Sequence, residues 1–196
     1  MNSTTSSPMA LLRASHALIP GLAVLSAQCA FADNKEKQRA EVRKTAQETL
    51  DRLYKVQPQA RAPIASAAGY AVFSNFGTKI LVAGGGKGQG VAVDNKTRRE
   101  TFMRMVEMQA GLGFGAKRFR LVWVFDTPAA FDSFVNKGWE LGGQATAAAQ
   151  YGGQGTSAAG AMPVSAGVWL YQLTDEGLAP EVTAKGTKYY KDEELN

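Results

Sequence analysis

Hydrophobic spacing over residues 33–56 predicts a long N-terminal helix. Apolar side chains recur there at steps of three and four residues, with charged residues mostly between them. The apolar stripe consists of Ala40, Val42, Ala46, Leu50, Leu53 and Tyr54. We expect this stripe either to pack on the protein's own domain or to lie on a membrane. In the second case Leu50, Leu53 and Tyr54 are the candidate membrane contacts.

Beyond this helix the pattern changes to short apolar runs that predict strands. Pro63 is expected to open a short helix over residues 64–68, because proline suits a first helical turn. A hairpin is predicted from residues 164–173 and 178–185, and residues 188–196 read as a polar, exposed tail. The remaining predicted strands are residues 70–73, 79–83, 91–93, 101–112 and 120–125.

One helix is predicted between strands, over residues 127–137. Thr127 suits the N-cap and Pro128 the first position, while Gly138 follows as a C-terminal stop. The fold class is therefore predicted as α+β. We expect a curved, largely antiparallel and barrel-like sheet, with an N-terminal helix and this second helix inserted between strands.

Two glycine-rich segments resemble nucleotide-binding loops without meeting their requirements. In residues 84–90, Gly88 follows Lys87 where a P-loop needs Ser or Thr. Residues 111–116 fit G-x-G-x-x-A, but a strand and not a helix is predicted to follow them. Glycines in strands often mark a close approach of the backbone, and we expect that use here.

The N-terminal pattern predicts an export signal. Residues 1–32 contain one fixed base, Arg13, then a short apolar run and an Ala-x-Ala sequence that ends at Ala32. The predicted organisation is a signal peptide at 1–32, the N-terminal helix at 33–58 and a binding domain at 59–196. The expected location is the periplasm, either free or in peripheral contact with a membrane. Lipidation at Cys29 is the alternative.

The chemistry left after processing favours binding over catalysis. His16 is the only histidine and Cys29 the only cysteine, and both lie in the predicted signal. The mature protein would lack an imidazole base, a thiolate nucleophile and the usual zinc ligands. We therefore expect no enzyme activity, no metal and no cofactor. A pair of carboxylates converging in space remains the open route to a hydrolase.

Positive charge suggests the kind of partner. Without Arg13 the mature chain has 22 − 1 = 21 bases against 17 acids, a balance of +4. The bases are either solvated turn residues or a rim for an anion, and acidic phospholipid is a better candidate than nucleic acid in an exported protein. A protein partner is left unspecified. The candidate lipid-binding residues are Lys87, Arg98, Arg99, Lys117, Arg118 and Arg120.

The order of these segments resembles the SYLF domain, a lipid-binding module of bacteria and eukaryotes. The resemblance covers residues 60–190 and implies binding of phosphoinositides or other acidic phospholipids. Some eukaryotic members bind actin filaments, a property not expected here. Residues 151–154 and 180–181 depart from the family pattern, which places a basic residue and a small pair there. The matching segments are residues 68–73, 79–90, 111–115, 122–134, 177–179 and 189–190.

Processing gives the first testable prediction. We expect the exported protein to begin at Asp33 and to lack both His16 and Cys29. Intact-mass measurement with N-terminal sequencing checks this. An acylated Cys29 at the N-terminus would instead identify a lipoprotein.

Overall fold

A computed structural model describes residues 22–75, 85–108, 119–141, 160–174, 177–178 and 187–196. The chain divides into two compact units, Met1–Asn34 and Lys35–Asn196. The sheet and the two shorter helices belong to the larger unit. The predicted strand at residues 79–83 and most of the Gly/Ala-rich stretch after residue 141 lie outside the described residues.

Three α-helices are present in the described chain: α1 (Leu22–Val56), α2 (Arg61–Ser66) and α3 (Pro128–Lys137). The predicted N-terminal helix is confirmed at its C-terminal end, and α1 also continues back into the predicted signal. A 3₁₀ turn, Pro58–Ala60, links α1 to α2. α2 begins two residues before Pro63, which corrects the prediction. Proline is accepted throughout a first turn because the backbone N–H groups there have no intrahelical partner.

Nine strands of the described chain form one sheet with antiparallel pairing, which confirms the predicted fold class. Its main order is β5-β9-β3-β2-β1-β4-β7-β6, and β8 also pairs with β7. The strands are β1 (Gly69–Asn75), β2 (Gly85–Asp94), β3 (Glu100–Met108), β4 (Arg120–Phe125), β5 (Trp139–Leu141), β6 (Met162–Ser165), β7 (Val168–Thr174), β8 (Gly177–Leu178) and β9 (Thr187–Lys191).

The hairpin predicted from residues 164–173 and 178–185 is confirmed where β7 pairs with β8, with Leu173 opposite Leu178. Two details of the predictions need correction for physical reasons. Residues 164–173 form parts of two strands, because Gly167 has φ 68° and turns the chain between β6 and β7. The tail predicted at residues 188–196 is not simply exposed, since Tyr189 is buried in β9, which pairs with β3, and Asp192 and Leu195 are buried beyond it. Because this segment contains several lysines, its sequence did not show the period-two alternation that places every second side chain in the core.

Both faces of the sheet are covered by apolar side chains. β4 shows this best, because all its residues from Leu121 to Phe125 are buried. One face packs against α3, and the other carries the apolar stripe of α1 together with α2. Successive residues of a strand point to opposite faces, so β4 supplies both cores alternately. Its hydrophobic sequence predicted this burial.

Aromatic contacts on the α3 face show that the sheet curls. β4 and β9 are four strand spacings apart, about 19 Å along a flat sheet. Yet the rings of Trp123 and Tyr189 lie 5.0 Å apart. Phe73 on β1 also contacts Tyr189, at 4.9 Å. α3 adds Phe134 to this cluster, 4.8 Å from Phe125. Large side chains on the inner face therefore meet across strands that are not neighbours.

The termini of α3 match the sequence prediction in detail. The Thr127 side chain accepts a hydrogen bond from the Ala130 N–H at 3.2 Å. Gly138 ends the helix with φ 75°, and its N–H donates to the Phe134 carbonyl. These local signals hold α3 in place while Phe131, Phe134 and Val135 are buried.

The glycines of β2 confirm the expected close approach. A Cβ on Gly88 would lie 2.8 Å from both Met105 Cγ and the Ser74 carbonyl oxygen. A Cβ on Gly90 would collide with the ring of Phe73 and the carbonyl oxygen of Val72. Larger residues would have to push the buried α3-facing core apart.

We therefore expect Gly90→Ala to lower the free energy of unfolding by about 1–3 kcal/mol, because a backbone atom blocks the new methyl group. Lys87→Ala, on an exposed site of the same strand, should change it by less than about 0.5 kcal/mol. Chemical denaturation followed by tryptophan fluorescence measures both. Equal stability of Gly90→Ala and the wild type would contradict this packing.

Candidate functional site

The turn between β2 and β3 presents three bases on a fixed backbone. The Asp94 carboxylate accepts hydrogen bonds from the backbone N–H groups of Lys96 and Thr97, at 2.8 and 2.9 Å. The Thr97 bond is the largest cause that lowers the pKa of Asp94. Lys96, Arg98 and Arg99 are exposed, and none of them forms an ion pair with another described residue.

Asn95 fixes the same turn to α2. Its side-chain amide donates to the carbonyl oxygens of Ile64 and Ala67, at 2.7 and 2.9 Å. Its backbone N–H donates to the Ala68 carbonyl at 3.0 Å. The bases of this turn therefore stand on a rigid support and lose little backbone freedom when they bind a partner.

Arg98 has an unusual backbone for its residue type. Its φ is 61°, and it is the only non-glycine residue with positive φ in the described chain. This left-handed conformation costs an L-residue roughly 1–2 kcal/mol, whereas glycine adopts it freely. The turn would be less strained with glycine at this position.

The other candidates that the structure describes, Lys87 and Arg120, lie at the opposite end of the strands. Lys87 is separated from Asp94 by the length of β2, about 23 Å at 3.3 Å per residue. Arg120 begins β4 and pairs with Ser74, at the same end as Lys87. Lys117 and Arg118 lie outside the described residues. The two described groups are farther apart than a Debye length of about 8 Å, so they act as separate surfaces in physiological salt.

Lys188 lies near Lys87, although it was not among the candidate residues predicted from the sequence. Val106 pairs with both Lys87 and Lys188, so these lysines flank it on the α1 face of the sheet. Glu140 pairs with Lys188 and adds one opposite charge. The two lysines come together through the pairing register of β2, β3 and β9, and no local pattern in the sequence predicts that register.

Two arginines of α1 join Arg98 at a depression of about 390 Å³. The guanidinium groups of Arg39 and Arg43 lie 5.8 and 5.2 Å from the ring centre of Phe102, within cation–π distance. Arg98 and Glu100 line the same depression. We call this set of residues the arginine depression. In the sequence, Arg39 and Arg43 lie between the apolar positions of the predicted helix, and no role was predicted for them.

Ion pairs hold the two helix arginines in place. Arg43 Nε lies 2.7 Å from Glu100 Oε2, and its Nη1 lies 2.8 Å from Glu36 Oε1. Arg39 Nη1 lies 3.3 Å from Glu36 Oε2, and its Nε donates to the Leu195 carbonyl at 2.7 Å. Arg43 first, and then Arg39, lower the pKa of Glu36 through these bonds. The depression and the adjoining Glu36 therefore combine three bases and two acids.

Next to the arginine depression, two acidic residues near the C-terminus form ion pairs with Arg104. Arg104 Nε lies 2.7 Å from the buried carboxylate of Asp192 and also pairs with Glu194. Asp192 further accepts the Glu194 N–H at 3.0 Å. Two acids thus converge on one arginine as a structural ion pair. Asp126 likewise serves packing, because it accepts the Trp169 indole N–H at 2.8 Å.

Comparison with known proteins identifies the domain. Residues 106–196 match the family model described as Ysc84, Las17-binding protein actin regulator. Beta cell expansion factor A of Aeromonas veronii is 32% identical over 160 residues, which are 82% of this chain. Residues 106–196 belong to the SYLF (Ysc84) family. The aligned region spans 59% of the length of the Aeromonas protein.

The SYLF match confirms the family resemblance drawn from the sequence. The family model begins within β3, later than the start expected at residue 60, and continues through the C-terminal residues. It therefore includes β4, α3, β7 and β9. The family is a binding and regulatory domain. The two expected departures, at residues 151–154 and 180–181, lie outside the described residues.

The membrane-contact candidates on α1 are buried or partly buried. Leu53 has no exposed surface, and Leu50 is 7% exposed, because both pack on the sheet. Tyr54 is partly buried in the same cluster, with Arg61 4.2 Å from its ring centre. The packing alternative therefore describes this stripe in the folded protein. No helix within the described ranges is long and apolar enough to cross a bilayer.

Leu53→Ala distinguishes packing from membrane insertion. We expect it to lower the free energy of unfolding by about 2–5 kcal/mol, because a fully buried side chain leaves a cavity. Val56→Ala on the same helix is the control, since Val56 is 45% exposed and should change stability by less than about 0.5 kcal/mol. Thermal and urea unfolding measure both. Loss of vesicle binding by Leu53→Ala at unchanged stability would restore the insertion hypothesis.

Proposed function

We propose that this protein binds acidic phospholipid membranes at the cell envelope through exposed basic residues, without catalysing a reaction. The observation that carries the proposal is the β2–β3 turn, where Lys96, Arg98 and Arg99 stand exposed and without ion pairs to other described residues. A turn tip reaches a flat surface more easily than a residue within the sheet.

Membership of the SYLF family supports a binding role. Each base close to an anionic surface contributes about 1 kcal/mol, so the three turn residues together supply about 3 kcal/mol. This is a reversible attraction that salt weakens. Arg120 and Lys87, with Lys188, form a second and independent basic surface, and Lys117 and Arg118 remain proposed contributors. Export to the periplasm is part of the proposal and rests on the N-terminal pattern.

A protein-interaction module of the envelope is the second candidate. The description of the family model names a protein partner, Las17, and actin regulation. On this chain Tyr190 is exposed beside Lys188 on β9, and an exposed aromatic ring next to a base suits a protein surface. In this alternative the basic turn serves solubility, and lipid composition has no effect.

Vesicle co-sedimentation separates the candidates. We expect binding to vesicles that contain phosphatidylglycerol, none to phosphatidylcholine, and a steady loss between low and physiological salt. Neutralising Lys96, Arg98 and Arg99 together should weaken partitioning by roughly a hundredfold, the equivalent of about 3 kcal/mol.

A matched control variant keeps the same net charge. Neutralising Lys44, Lys55 and Lys137, which are exposed on α1 and α3, removes three charges away from the turn. It should weaken partitioning by less than about threefold at physiological salt, because distant charges are screened. Equal losses in both triple variants would indicate a diffuse charge effect. Equal recovery with neutral vesicles would reject the lipid proposal.

A further inference from the structure

We propose that the arginine depression is a discrete site for a phosphate group, bound between Arg98 of the β2–β3 turn and Arg39 and Arg43 of α1. This inference does not depend on the membrane proposal. A phosphate could reach the site on a lipid headgroup or on a soluble molecule, and the same contacts would recognise it.

The first support is the set of donors that remain available. Arg39 and Arg43 each use Nε and Nη1 in the contacts described above, and no other described group contacts the Nη2 of either. A guanidinium carries five N–H donors, so each arginine keeps a free Nη2 with two of them. Arg98 has no ion-pair partner among the described residues and adds a complete fork. Forked donors match the oxygens of a phosphate.

The second support is preorganisation. Phe102 is 5% exposed, and its ring is a fixed floor for the guanidinium groups of Arg39 and Arg43. The Glu100 carboxylate and the Leu195 carbonyl hold the Nε sides of these arginines. A ligand therefore meets side chains that are already ordered, which lowers the entropy cost of binding.

The third support is the conformation of Arg98. Its left-handed backbone favours glycine, yet an arginine occupies the position and lines the depression. Arg98 lines the same depression as Phe102, which belongs to the core on the α1 side, so Arg98 lies close to the α1 face of the sheet. The residue with the strained backbone, Arg98, is therefore also a base that lines the depression.

The charges already present favour phosphate over a carboxylate ligand. The three arginines and two glutamates of the site sum to +1, and Glu36 occupies one side of both helix arginines. A ligand carboxylate would replace Glu36 with an equivalent group. A phosphate carries about −1.5 to −2 charges and three acceptor oxygens, so it can engage all three arginines. Glu36 is mostly exposed and is free to turn into solvent when a ligand enters.

An NMR titration of the purified protein tests the site with inorganic phosphate, and acetate serves as the carboxylate control. We expect phosphate to shift the side-chain Nε–H resonances of Arg39, Arg43 and Arg98 with saturation, and acetate to bind at least fivefold more weakly. Equal saturation by acetate, or shifts spread evenly over surface lysines, would overturn the proposal.

Three substitutions make the test specific. Arg98→Gly should weaken phosphate binding tenfold or more and leave the melting temperature equal or higher, because glycine relieves the backbone. Arg98→Lys keeps the charge but loses the fork, and should weaken binding at least threefold. Glu36→Gln should tighten binding at least threefold, because it removes a competing carboxylate.

Lys96→Gln is the matched control, since it removes a charge from the same turn but outside the depression. It should change phosphate affinity less than twofold. Equal weakening by Lys96→Gln and Arg98→Gly would show general attraction and refute a discrete site.

The source of the phosphate is resolved with vesicles. Phosphatidic acid presents a phosphate monoester, and a fivefold loss of its binding in Arg98→Gly would assign the site to a lipid headgroup. Saturable binding of glycerol 3-phosphate, with vesicle binding unchanged in Arg98→Gly, would assign it to a soluble molecule. A protein that ignores every acidic vesicle but saturates with phosphate would refute the membrane proposal and support this one.

Discussion

The structure depends on a sheet that is apolar on both faces. Residues 121–125 of β4 alternate between the core under α3 and the core under α1, and all five are buried. Burial of this kind stabilises a strand only when each face has its own cover. α3 and the curl of the sheet cover one face, and the apolar stripe of α1 covers the other. The position of α1 is therefore a requirement of the sheet.

The charge distribution follows from that requirement. Because Leu50 and Leu53 face the sheet, Arg39 and Arg43, which precede them on the same helix, lie beside Phe102 near the start of β3. There Arg39 and Arg43 meet the ring of Phe102 and the turn that holds Arg98. An anion site at this place costs the protein little additional order, since the packing of the helix already sets the arginines.

Local signals in the sequence predicted the elements that local interactions define. The cap residues Thr127 and Gly138 bound α3, and the dense apolar run of β4 indicated a strand buried on both sides. The glycines of β2 were expected to mark a close approach, and Gly88 and Gly90 lie against neighbouring side chains and carbonyls. In each case the structural feature is explained by residue types that lie within a few positions of it in the sequence.

Features that depend on register or on distant contacts were not predicted. β9 was not predicted because its lysines make the segment look exposed. Only its pairing with β3 shows that Tyr189 points into the core. The sequence could not decide between the two alternatives given for Leu50 and Leu53, since periodicity shows an apolar face but does not say what covers it. Arg39 and Arg43 gained a role only through Phe102, far away in sequence.

Arg98 illustrates how stability and function can be separated at one residue. The turn is held by Asp94 and Asn95, whose hydrogen bonds involve the backbone of Lys96, Thr97 and α2, and not the side chain at 98. Glycine would satisfy the same backbone at lower cost. Because no fold contact among the described residues needs this guanidinium, its charge and forked donors remain for a partner. A strained position that contributes nothing to packing is a stronger indication of binding than an exposed base on a relaxed strand.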